Sequence, residues 1–354
     1  MENNDDEVNF KIILLIVSVT CLIFSIVLIV YNYFKKEETY ETMPNVSWPF
    51  INLKDQDGNN VNMLCIRGPI TEKKDEDFLR DSLSKGVKYI GCSSYLSYPN
   101  QCKNPAYGCE KPFLVDGKRM DEYVVGWCHC FRDPDNYIKE GLPRILISES
   151  DFSDNMKLKP NKSKKKQYDF ICYCPKDKSC NNGWHFHNKN WLLTKKTIEV
   201  LCNHMGLKGL LVGREDCEIN LKYPELLERK EWFSYYDFID KIKESKIMII
   251  SSTEDASPRV LTEALTVDVP VLVNDSILGG WKYINEKTGV FYNGNNIIEK
   301  TSLLLNRIRK NELKPREYYF SKYGIKKSGK ELKDFLKMIN PELTECDYVY
   351  FPVS

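Results

Sequence analysis

Apolar and polar positions along the chain fall into two alternating patterns. Tyr168 to Tyr173, Gly209 to Val212, Ile247 to Ile250, Val269 to Val273 and Gly289 to Tyr292 are short runs of continuous apolar character. Such runs predict strands buried on both faces. Between them the period changes. Trp191 to Cys202 carries Leu192, Ile198 and Leu201 on one stripe, and Tyr235 to Ser245 carries Phe238, Ile239 and Ile242. Both predict helices. Strands and helices alternating at these lengths imply a parallel sheet with right-handed crossovers, whose ligands sit at the carboxyl ends of the strands. The loops at 175–189, 213–218, 253–257 and 274–281 are therefore expected to converge.

The first half repeats the rhythm in a shorter form. Val61 to Arg67 predicts a strand, Glu72 to Ser84 a helix with Phe78, Leu79 and Leu83 inward, and Val87 to Cys92 a second strand. Residues 95–122 are rich in Pro, Gly, Asn and Tyr and predict a long loop, followed by strands at Tyr123 to Cys130 and Arg144 to Ile147. The expected organisation is an N-terminal Rossmann-like domain at 58–152, a linker at 153–167, a second Rossmann-like domain at 168–312 and a helix and tail at 313–354. The linker is marked by Lys157, Lys159, Lys162, Lys164, Lys165 and Lys166, a charge run read as solvated chain or as a membrane-surface contact. In the tail, Leu332, Phe335 and Leu336 form the inward stripe of a helix within Lys314 to Ile339.

At the N-terminus, Ile12 to Tyr31 is uncharged and almost wholly apolar, the length a bilayer span requires. The expected arrangement is a flank at 1–11, a transmembrane anchor at 12–34 and a polar tether at 35–57 containing Pro44 and Pro49. Aromatic and basic residues at Tyr31, Tyr33, Phe34, Lys35 and Lys36 suit a membrane interface. Orientation is open. Lys35 and Lys36 against a single Lys11 lean towards a cytosolic globular part by a narrow margin, and a lumenal one stays open.

Bulk properties narrow the classes. A net charge of +1 gives no reason to expect nucleic acid as a partner. Thirteen cysteines fit either disulfides in a lumen or free thiols in the cytosol. Cys128-His129-Cys130 and Cys172-Tyr173-Cys174 are spaced too tightly for the usual zinc pairs and read as small apolar residues on strands. His129 is read as a buried structural histidine or as one facing the cleft. No Gly-x-Gly-x-x-Gly follows any predicted strand, which counts against a dinucleotide enzyme.

The stretch Ser251 to Leu265 holds the chemistry. It follows the Ile247 to Ile250 strand, and Ser257 and Pro258 predict the cap and first residue of a helix. Val260, Leu261, Ala264 and Leu265 then recur at helical spacing. A helix start at a strand end leaves unpaired N–H groups and positive potential that suit a phosphate. Asp255 and Glu263 bracket that point, and both accept hydrogen bonds from sugar hydroxyls.

Asp255-x7-Glu263, with Ala264-Leu265 and Pro270 to Val273, resembles the Glu-x7-Glu signature of retaining glycosyltransferases of family 4 and its relatives. Tyr236 to Ser252, Leu210 to Gly213 and the two segments Gly279 to Trp281 and Thr288 to Phe291 extend the resemblance in order. It implies a GT-B-like α/β fold, two Rossmann-like domains facing a cleft, here with a reduced first domain. It implies a nucleotide-diphosphate sugar as donor, a glycan, protein or lipid as acceptor, and no bound metal or cofactor. By resemblance Glu263 holds ribose hydroxyls, and Asp255 or its neighbour Glu254 the transferred sugar. Ser257, Pro258 and Arg259 form the phosphate end of the helix, and Lys189 takes the place of the family's lysine. Lys176 stands in for its arginine, with Arg214 after Gly213 as a further cation. Trp232 falls in the base-binding loop, and Gly279 and Gly280 permit close backbone approach to the ligand. The Asp at 255 and the short acceptor half also fit a non-catalytic nucleotide- or sugar-binding relative.

Overall fold

The structure, a computed structural model, describes residues 15–30, 45–100, 113–154, 157–161 and 165–352. The chain divides into two units, Met1–Asn45 and Val46–Ser354. In the first unit, residues 15–30 form helix α1, and its apolar side chains, among them Leu15, Phe24 and Ile29, are exposed. Residues 12–14 and 31–34 of the expected anchor lie outside the described residues, as do Lys162, Lys164 and 101–112. Among the described residues no helix is long and apolar enough to cross a membrane.

The second unit is built on two six-stranded sheets. One contains β1 (Phe50–Asp55), β2 (Asn60–Ile66), β3 (Lys88–Cys92), β6 (Trp127–Cys128), β7 (Arg144–Ile145) and β14 (Val349–Tyr350), in the order β14-β1-β2-β3-β6-β7. β1 is antiparallel to both its neighbours, and β2, β3, β6 and β7 are parallel. Helix α2 (Lys73–Ser84) supplies the β2–β3 crossover. A separate small hairpin pairs β4 (Leu114–Val115) with β5 (Lys118–Arg119). β1 lies in the stretch expected as tether. Its Phe50, Ile51 and Leu53 are buried, and Asp55 closes the hairpin by accepting from the Asp57 and Asn59 N–H groups at 2.9 and 2.8 Å. The Asp57-Gly58 turn between β1 and β2 is the hairpin signal in the sequence. Tyr123 to Cys130 is also mostly irregular, with only two residues in β6.

The other sheet is wholly parallel. It contains β8 (Tyr168–Tyr173), β9 (Gly209–Val212), β10 (Leu227–Lys230), β11 (Ser245–Ile250), β12 (Val271–Asn274) and β13 (Gly289–Tyr292). Its order, β10-β9-β8-β11-β12-β13, is that of a doubly wound sheet. Helices α3 (Trp184–Asn188), α4 (Trp191–Met205), α5 (Tyr235–Lys243), α6 (Arg259–Thr266) and α7 (Ile297–Arg309) connect the strands and flank the sheet. Phe238, Ile239, Leu261 and Leu265 bury one face; Trp191, Ile198, Leu201 and Leu304 bury the other. Leu192, expected inward, is 65% exposed, because Ile198 and Leu201 define a stripe that turns away from it.

The basic C-terminal region is two helices, α8 (Pro315–Lys322) and α9 (Ile325–Ile339). Tyr319 of α8 packs into the second lobe's core. Leu332, Phe335 and Leu336 of α9 pack with Ile51, Met63 and Ile90 of the first lobe. The C-terminal segment thus returns to the first lobe, and β14 closes the edge beside β1. β8 and β11 are adjacent, and their outward crossovers diverge from that junction. This is the switch point at which a doubly wound sheet opens a crevice.

Candidate active site

The loop after β11 forms one wall of the crevice. Asn274 donates to the carbonyls of Ser251 and Ser252 at 3.1 and 3.2 Å, and the Leu278 N–H donates to the Thr253 carbonyl at 2.8 Å. Gly279 N–H donates to the Asp255 carbonyl at 2.9 Å. These bonds hold the turn from behind, so that Asp255 faces forward. Glu254 does not line the cavity; its carbonyl accepts from Asn188 at 3.1 Å. Of the adjacent acidic pair, the fold presents Asp255.

Helix α6 starts one residue later than the sequence predicted. Pro258, not Ser257, occupies the N-cap and makes no side-chain cap bond. Ser257 Oγ instead accepts from the Ser150 N–H at 3.0 Å and shares a 2.9 Å bond with Ser150 Oγ, joining the two lobes. Arg259 opens α6 and Glu263 follows one turn on; both line the cavity. Glu263 accepts from the Tyr235 hydroxyl at 3.2 Å. Burial pushes the Glu263 carboxyl above its ordinary range, against the opposing effects of Arg259 and the Tyr235 bond.

The loop after β8 forms the facing wall. Lys189 follows α3 and its ammonium pairs closely with Asp255. Asp177 fixes this loop: its carboxylate accepts from the His185 and Phe186 N–H groups at 3.0 and 2.8 Å. Arg214 locks Asp177 in turn, at 2.8 Å, and donates to the Cys180 carbonyl at 2.9 Å. A disulfide joins Cys180 to Cys217.

Together these walls enclose a cavity of about 530 Å³. Its lining includes Lys189, His185, Asp255, Ser257, Arg259 and Glu263. Trp232, Phe233, Tyr235 and Tyr236 form an aromatic shelf, with Trp232 69% exposed. Glu149 and Ser150 come from the first lobe.

Several predicted donor residues lie elsewhere. Arg214 is fully buried, packed over the rings of Trp191 and Phe186 at 5.3 and 5.8 Å, and is a clamp on the β8 loop rather than a cation in the cavity. Lys176 pairs with Asp216 at the surface. Gly213, with φ +92°, accommodates the Cys174 carbonyl, which a Cβ there would approach to 2.2 Å. Gly279 and Gly280 pack behind the motif turn and do not line the cavity: a Cβ on Gly279 would lie 1.9 Å from the Ala256 carbonyl oxygen. Pro258 packs on Gly280. His129 is buried beside Phe131 and does not line the cavity. Sequence reasoning passed over His185, Asp177 and Tyr235. The only signal for His185 was its place four residues before Lys189, on the same helical edge.

No family model and no curated protein matches the chain. Solved structures do. A glycosyltransferase from Rickettsia africae is 14% identical with a TM-score of 0.51, over 78% of this chain and 76% of that one. HepE from Anabaena, solved with UDP and glucose, is 9% identical with a TM-score of 0.50, over 75% and 76%. TarM is 15% identical with a TM-score of 0.49 over 72% of this chain, which spans about half, 51%, of the TarM chain. At these identities the likeness is one of architecture. The chain has the two-lobed GT-B-like fold of glycosyltransferases.

Proposed function

We propose that this protein is a membrane-anchored glycosyltransferase that moves a sugar from a nucleotide-diphosphate sugar to a glycan, protein or lipid hydroxyl, with retention and without a metal ion. One observation carries the reading. Asp255 and Glu263 open onto a single cavity at the β8–β11 switch point, with the uncapped start of α6 between them and Lys189 opposite. In the proposed reaction the acceptor oxygen bonds to the anomeric carbon as the bond from that carbon to the diphosphate breaks. The electron pair leaves with the diphosphate, whose oxygen receives the acceptor's proton. Negative charge therefore grows where Lys189, Arg259 and the α6 N–H groups are already oriented, the arrangement that lowers such a barrier. Glu263 holds the ribose, Asp255 the transferred sugar, and the shelf around Trp232 the base.

The apolar surface of α1 and the sequence around it support the anchor. The Cys180–Cys217 bridge supports a globular part on the oxidising side of the membrane. A second reading, a non-catalytic nucleotide- or sugar-binding relative, draws on the ion pair that already occupies Asp255.

Thermal shift with UDP, GDP and ADP, followed by hydrolysis assays on the matching nucleotide sugars, tests the proposal. One nucleotide at a hundred times its Kd should stabilise the fold by about 2.7 kcal/mol. Loss of the Glu263 hydrogen bonds in Glu263→Ala should weaken binding by about 2 kcal/mol, roughly thirtyfold. Binding without turnover would favour the second reading. No stabilisation by any nucleotide diphosphate or sugar would refute both.

A further inference from the structure

The cavity wall around Lys189 lacks the two other cations that the sequence assigned to the diphosphate. Arg214 is held by Asp177, and Lys176 by Asp216. His185 occupies that wall instead. The Lys189 N–H donates to the His185 carbonyl at 3.0 Å, so one helical turn sets both side chains at the same edge of the cavity. The His185 backbone is fixed from the other side by its 3.0 Å bond to Asp177.

The imidazole itself is left incomplete. Nδ1 is buried and has no hydrogen-bond partner among the described residues. Four nearby charged groups act on the ring through their fields: Asp177 and Asp255 favour a proton on it, while Lys189 and Arg214 oppose one. Burial is the largest influence and lowers the affinity for the proton, leaving the ring neutral near pH 7. An incoming diphosphate changes this balance, because it brings two negative charges to the edge His185 shares with Lys189. Opposite charge at that range favours the imidazolium. His129, His187 and His204 do not line the cavity.

We propose that His185 takes up a proton from solvent when a nucleotide diphosphate enters the cavity, so that donor binding tightens as pH falls towards the acidic side of neutrality. The inference rests on the nucleotide-sugar reading of the cavity and adds a proton-coupled residue to it. No bond to the substrate is made or broken in this step; the imidazole becomes a charged donor to a diphosphate oxygen.

NMR titration of the four histidines tests it, in the free protein and with saturating UDP, GDP or ADP. The His185 pKa should rise on binding by about one unit or more, equivalent to roughly tenfold in affinity across the titration. The other three should hold still. Calorimetry in buffers of different ionisation enthalpy should show proton uptake in excess of that of His185→Asn, which corrects for the nucleotide's own phosphate. His185→Arg should retain tight binding and lose the excess uptake. A nucleotide that binds while His185 titrates unchanged would overturn this inference and leave the proposed function standing. If no nucleotide binds at all, both are overturned.

Discussion

At the scale of single residues, His129 and Glu263 show opposite uses of burial. His129 is 7% exposed, with Nδ1 unpartnered, and burial together with Arg144 and Lys282 lowers its pKa to about 4. In the unfolded chain the same group titrates near 6.5. The unfolded state therefore binds the extra proton first. The stability tied to a neutral His129 is present above about pH 6.5 and is lost as pH falls towards 4, by about 3 kcal/mol. His129→Phe, compared with wild type in urea titrations across that range, should remove this part of the acid sensitivity. Glu263 is perturbed upward and faces a cavity. A carboxylate kept partly desolvated beside Arg259 and Tyr235 is primed for hydroxyl donors.

At the scale of elements, the site depends on two turns pressed from behind. The glycine turn after β12 touches the β11 turn so closely that Gly279 has no room for a methyl group. Gly279→Ala should destabilise the protein by about 1–3 kcal/mol and move Asp255 off its line to Lys189. The measurement is paired: a lowered urea midpoint and a donor affinity weakened by roughly tenfold or more. An unchanged affinity in a folded Gly279→Ala protein would separate the turn from the site. The β8 loop has its own support in Arg214, Asp177 and the Cys180–Cys217 bridge. Closing a loop of that sequence separation, 37 residues, is worth about 4 kcal/mol in the chain-entropy account. Cys180→Ser with Cys217→Ser should lose stability of that order in thermal melts, and donor affinity with it.

At the scale of the whole molecule, the lobes of the second unit are joined by a buried polar knot. Lys282 donates to Asp151 at 2.6 Å and to the Leu146 carbonyl at 2.9 Å, and the Tyr283 hydroxyl donates to Asp151 at 2.8 Å. Asp151 is 1% exposed. Removing one partner leaves a buried charge, which costs about 3–5 kcal/mol. Lys282→Met should therefore lower stability by that amount in chemical denaturation. The Ser150–Ser257 bonds lie beside the cavity, so the first lobe positions the motif turn directly. The Trp281 indole adds a 2.8 Å bond to the Cys130 carbonyl.

The sequence by itself determined the elements that periodicity specifies: the strands β8, β9, β11, β12 and β13, the helices α4 and α5, the inward stripe of α9 and the motif turn carrying Asp255, but neither β10 nor α3, which lie in stretches without such spacing. Those are local consequences of apolar spacing and cap chemistry, which any window of the chain displays. Tertiary structure alone decided which polar groups share a space. Arg214, Lys176 and Lys189 look alike as strand-end cations in sequence, yet one is clamped inside, one is paired at the surface and one faces Asp255. Ser257 likewise caps its helix on paper and joins the lobes in space. Side-chain pairing depends on contacts far apart in the chain, such as Ser150 with Ser257, and no local spacing encodes them.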